Sequence, residues 1–173
     1  MKKLLIAVFF LACLAVLSQG AYAAEGAKIG YVDLQKVLNL SNAGKAAKGQ
    51  LSEKVKKYQD EINRKQEELK KLKDALEKQG SYLSEKAKAD KEKEYQQSLK
   101  EFQRLTKDAQ EELQAKDEEL TKRILGDIEK VVQEYGGKND FTVIFIRNES
   151  MLFANEKADL TDIILKAYDS SNK

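Results

Sequence analysis

Between Lys45 and Tyr135 the chain is charged, free of proline, and apolar only along a narrow stripe. On the first limb the stripe is Leu51, Val55, Tyr58, Ile62, Leu69, Leu72, Leu76 and Leu83, at steps of four, three, four, seven, three, four and seven. Two seam positions, Lys65 and Gln79, are not apolar. A two-position stripe at heptad spacing is the seam of a helix pair, narrower than the face of a globular helix. Gly80 breaks the run. Ser84 then offers an N-cap and Glu85 an acid in the next first turn. The second limb predicts a seam of Tyr95, Leu99, Phe102, Thr106, Ala109, Leu113, Lys116 and Leu120, continued by Ile124, Ile128, Val131 and Tyr135. The added four-residue step is a stutter, which locally unwinds a coiled coil. Gly136 and Gly137 are expected to end the helix. At ~1.5 Å per residue each limb is about 55–75 Å long. Residues 45–135 therefore read as a helical hairpin arm with its tip at about 80–84. Polar seam residues (Lys65, Gln79, Thr106, Lys116) predict an arm that bends and splays.

The pattern changes on either side of the arm. Residues 24–44 and 136–173 form one discontinuous base. Ile29, Tyr31 and Val32 mark a short strand, and Leu34 to Leu38 an amphipathic helix. Ser41 or Asn42 caps the helix that grows into the arm. Phe141 to Ile146 is strongly β-favouring. Arg147 to Ser150 reads as a hairpin loop and Met151 to Ala154 as the returning strand. Asp159 caps a last helix, with Leu160, Ile163, Ile164 and Ala167 on one face. The predicted class is α+β, a coiled-coil hairpin arm on a small β-sheet or β-barrel body.

Five of the six residues from Phe141 to Ile146 are apolar, so both faces of that strand require cover. A base of about sixty residues is marginal alone and covers one face. Homo-oligomerisation would cover the other through Ile29, Tyr31, Val32, Phe141, Val143, Ile144, Phe145, Ile146 and Leu152. The alternative cover is the arm's own root, around Ile124 to Val132.

Composition changes the picture in three ways. Met1 to Ala23 has a basic start, an apolar core and a small-x-small end at Ala21 to Ala23, and reads as a cleaved signal peptide. A lipoprotein leader built on Cys13, or an uncleaved anchor, are the other readings of that stretch. Cleavage removes Lys2 and Lys3 and no acid, so 31 basic and 29 acidic residues become 29 of each. Zero net charge argues against a nucleic-acid binder working by bulk charge. The single cysteine leaves with the leader, which excludes disulfides.

Catalytic sets are missing from the sequence. It has no histidine to act as a base, no His/Cys metal cluster, and no phosphate-cradling glycine loop. An enzyme is not expected, and neither is a cofactor. Charge along the arm is uneven. Arg64 to Lys93 holds ten basic and seven acidic residues, whereas Glu94 to Glu134 holds seven and eleven. Lys86, Lys88, Lys91 and Lys93 cluster after the tip. They either solubilise the tip or touch anionic lipid or lipopolysaccharide head groups.

The whole mature chain resembles the Skp (OmpH-type) family of periplasmic chaperones. The resemblance is carried by Ile29-Gly30-Tyr31-Val32-Asp33-Leu34-Gln35-Lys36-Val37, the charged helical hairpin, the expected two-strand hairpin through Phe141 to Ala154, and Asp159-Leu160-Thr161-Asp162-Ile163-Ile164. It implies a jellyfish-shaped homotrimer whose arms surround a cavity. It also implies an ATP-independent holdase that encloses unfolded outer-membrane β-barrel proteins. Tyr58, Tyr82, Tyr95 and Phe102 become candidate client contacts, although Tyr58, Tyr95 and Phe102 also belong to the seam. The competing function is a structural or adaptor coiled-coil protein of the cell envelope.

Overall fold

Asp33 ends the first strand and starts the first helix, because its carboxylate accepts the Lys36 amide at 2.8 Å. That local signal, repeated at each junction, sets the element order in this computed structural model, which describes residues 26–79 and 82–171. Strand β1 is Ile29–Val32 and helix α1 is Leu34–Leu40. Two long helices follow, α2 at Asn42–Gln79 and α3 at Glu85–Lys138. Strand β2 is Val143–Ile146, a 3-10 turn covers Glu156–Ala158, and helix α4 closes at Thr161–Ser171. The expected signal peptide with Cys13 and the tip residues Gly80 and Ser81 lie outside the described residues.

The sheet differs from the expected hairpin. β1 and β2 pair in parallel, with Ile29 opposite Val143 and Val32 opposite Ile146. Met151 to Ala154 joins no strand. The chain there crosses the front of the sheet and reaches the far edge of β1, where the Leu160 amide donates to the Tyr31 carbonyl at 2.9 Å. A two-residue-period pattern identifies a strand but not its partner, and β1 takes both available neighbours.

The core lies on the helical side of the sheet. Val32, Val37, Ile124, Ile128, Leu160, Ile164 and Tyr168 form it, with Val131, Val132, Tyr135 and Ile144 packed alongside. The root of α3 is thus part of the body. Ile163 is exposed, against expectation, and Tyr168 takes its place on the buried stripe. Ile164 and Tyr168 lie about 40° and 80° to one side of Leu160 and Ile163 about 60° to the other, so a body centred toward Ile164 buries Tyr168 and leaves Ile163 at the edge.

The glycine pair does not stop α3. The helix continues to Lys138, and Gly136 is buried because its missing Cβ leaves room for Ile144 Cδ1. The stop comes from Asp140 at φ 56°. The Phe141 amide donates back to the Gly136 carbonyl at 3.0 Å, which is the 6→1 bond of a Schellman cap.

Candidate functional site

The arm is held by a thin seam with polar clasps on its flanks. Leu69, Ser98, Ala109, Leu120 and Ile124 are buried between the limbs. Ser98 and the half-buried Leu105 stand where the heptad reading placed Leu99 and Thr106. Thr106 is exposed and donates its hydroxyl to the Phe102 carbonyl at 2.9 Å. Ser98 Oγ is buried without a hydrogen-bond partner. Small and polar groups at these points leave little apolar surface to hold the limbs together.

Charge assists where apolar packing is thin. Glu112 of α3 accepts from both Lys54 and Tyr58 of α2. Lys54, and then Tyr58, hold the Glu112 carboxyl below its ordinary range. The same bond raises the Tyr58 hydroxyl. Nearer the tip, Lys65 sits between Glu68 of its own helix at 3.1 Å and Glu101 of the other limb at 3.2 Å. Gln97 first, and Lys65 second, lower the Glu101 carboxyl. Lys65 therefore bridges the limbs as well as breaking the stripe.

The candidate contact residues separate into two groups. Tyr58, Tyr95 and Phe102 are half-buried in the seam. Tyr82 stands free at the tip, 90% exposed. Lys86, Lys88 and Lys93 are exposed beside it and Lys91 is half-buried. Ser84 caps α3 as expected, accepting the Ala87 amide at 3.3 Å.

At the root, the front of the sheet is incompletely covered. Tyr31 is buried there, and burial followed by the neighbouring Asp159 carboxylate raises its hydroxyl. Around it Ile29 and Phe145 are about half exposed, at 51% and 50%. Val143, Ile144 and Phe141 are half-buried and Val32 is buried. Leu152 and Phe153 are 97% and 87% exposed. Sequence reasoning passed over Phe153, although its position beside Leu152 was a visible signal. A second groove, of about 890 Å³, runs along the outer side of α3 past Leu125, Val132, Ile144 and Ile146.

A charged helical hairpin rooted in a two-stranded body is the geometry that comparison with known proteins finds again. The profile of the outer membrane protein (OmpH-like) family matches residues 28–168. The chain belongs to the OmpH-like family. A solved structure of a proposed OmpH-like outer membrane chaperone from Caulobacter crescentus CB15 superposes with a TM-score of 0.77. The match is 20% identical in sequence and covers 88% of this chain and 90% of that one, so it concerns the fold. No curated protein matches significantly. Among the described residues, no helix of this OmpH-like chain is long and apolar enough to cross a membrane.

Proposed function

We propose that this OmpH-like chain is an ATP-independent periplasmic holdase. It encloses unfolded outer-membrane β-barrel proteins and keeps them from aggregating before insertion. The observation that carries this reading is an arm of 38- and 54-residue helices standing on a body whose apolar front is left uncovered. An adaptor that only spans distance has no use for exposed Phe145, Leu152 and Phe153 at its root. The fold neighbour, itself a proposed outer membrane chaperone, points the same way.

In this reading three copies join through their bodies into a trimer, and the leader at residues 1–23 directs export and is then removed. Unfolded barrel proteins expose alternating apolar residues that otherwise pair with one another. A surrounding set of arms keeps one chain from meeting the next. Tyr82 is ready for contact as it stands, whereas Tyr58, Tyr95 and Phe102 reach a client only when the limbs splay. The thin seam makes that splaying cheap. Lys86, Lys88, Lys91 and Lys93 give the tip its hold on an anionic lipid or lipopolysaccharide surface.

Light scattering tests the reading. A urea-unfolded outer-membrane barrel protein is diluted with and without the chain. Suppressed aggregation at molar excess is the expected result. Unchanged aggregation overturns the proposal.

A further inference from the structure

Sulfur occurs at three places in the sequence: Met1, Cys13 and Met151. The first two fall in the expected leader, so its removal leaves Met151 as the one sulfur-bearing residue. Met151 lies in the segment that crosses the front of the sheet. That segment is fastened at its ends, where the Arg147 amide donates to the Val32 carbonyl at 2.8 Å and the Leu160 amide to the Tyr31 carbonyl at 2.9 Å. Between these points its hydrogen bonds are local. The Met151 amide donates to the Asn148 carbonyl at 3.0 Å, and the Ala158 amide to the Asn155 carbonyl at 2.9 Å. Apolar contact is therefore what holds residues 148–158 against the sheet.

Met151 supplies much of that contact. It is half-buried, whereas Leu152 and Phe153 beside it are almost wholly in solvent. With Ile29, Tyr31, Phe145 and Phe153 it lines an open cavity of about 350 Å³. A flexible thioether suits an irregular gap edged by aromatic rings.

We infer that Met151 is an oxidation site, and that its sulfoxide releases residues 148–158 from the front of the sheet. The oxidant is a peroxide. The thioether sulfur gives an electron pair to one peroxide oxygen, the O–O bond breaks, and the other oxygen leaves with the proton as water. Sulfur is oxidised and the peroxide reduced. The product is strongly polar. The cavity offers it little: the Tyr31 hydroxyl is engaged by Asp159, and Asn155 Oδ1 by the Lys157 amide at 3.0 Å. A polar oxygen in apolar surroundings without a partner is costly. Moving the segment into water removes that cost and breaks no hydrogen bond to the sheet between the two fastenings. The apolar front at Ile29, Tyr31 and Phe145 is then uncovered. A dithiol-dependent sulfoxide reductase reverses the change, the oxygen leaving as water, so the front answers to the surrounding redox state.

Hydrogen peroxide on the folded full chain, and on the same chain in urea, is the test. Trypsin cuts after Arg147 and Lys157, so mass analysis of residues 148–157 reads Met151 alone. Oxidation of the folded chain is expected within about tenfold of the unfolded rate, since susceptibility follows exposure. Fluorescence of an apolar dye is expected to rise at least twofold as Met151 is consumed. Met151→Leu fills the cavity without the sulfur and should show the same low dye binding before and after peroxide, which sets aside oxidation of Met1 and Cys13. Met151→Gln, polar from the start, should raise dye binding with no oxidant. Slower oxidation of folded Met151 overturns the inference, as does complete oxidation with dye binding unchanged, or an equal response from the Leu variant. Neither readout involves a client, so the result stands apart from the light-scattering test of the holdase reading.

Discussion

The Asp33 amide donates to Thr161 Oγ1 at 3.0 Å across 128 residues of chain. Thr161 is buried, and its own amide donates to Asp159 at 2.8 Å. One hydroxyl thus ties the end of β1 to the start of α4. The Asp159 carboxyl stays below its ordinary range: burial, the largest influence, pushes it up, but the Thr161 hydroxyl and amide together with Lys36 outweigh burial. Thr161→Val keeps the shape and removes the acceptor. It should cost about 1–3 kcal/mol, the desolvation cost of a buried amide left unpaired, read as a lower urea midpoint with an unchanged slope.

Two glycines in the first turns of α2 should respond in opposite directions. A Cβ on Gly44 would lie 1.7 Å from the Leu38 carbonyl oxygen, a backbone atom that cannot step aside. Gly44→Ala should destabilise by about 3 kcal/mol or more. A Cβ on Gly49 meets nothing within 4 Å. Gly49→Ala should stabilise by up to ~1 kcal/mol through helix propensity. Thermal melts of the two variants check both signs.

Asp140 holds a left-handed backbone, φ 56°, at the end of α3. Asp→Gly there relieves the steric cost of the Cβ but enlarges the unfolded ensemble. The net expectation for Asp140→Gly is a gain of about 0.5 kcal/mol. A loss instead would mean that the Asp140 side chain contributes more than its backbone costs.

Acid should loosen the arm. Glu112 is held by Lys54 and Tyr58 of the other limb, with Lys57, Glu61 and Asp108 nearby. Its folded pKa lies below its ordinary value of 4.5. The stabilisation is therefore fully present above about pH 4.5 and is lost as pH falls through the lower, folded value. Glu112→Gln should melt slightly below the native protein at pH 7, and the gap should close as the solution is acidified below that point. Because the clasp is exposed, the gap should also shrink in 1 M salt. A gap independent of pH would assign the effect of Glu112 to packing.

The legible features were the local ones. Heptad spacing from Leu51 to Leu76 announced the arm, since period alone decides which side of a helix is apolar. Ser84 and Asp159 announced helix starts, because a cap is a bond within three residues. The seam slipped near Ser98 and Leu105, where small and polar residues make neighbouring registers nearly equivalent, and at Val55, which the stripe placed inside and the structure leaves exposed. What the sequence by itself determined was therefore the hairpin arm, its caps and an apolar strand within Phe141–Ile146, which the structure confines to Val143–Ile146. The tertiary structure alone decided that β2 lies parallel to a strand more than a hundred residues earlier, that Gly136 gives way to Ile144, and that Met151–Ala154 stays off the sheet. The physical reason is reach. Helix faces and caps are settled within a turn or two of chain, whereas strand partners and close approaches are settled by which distant surfaces bury each other best.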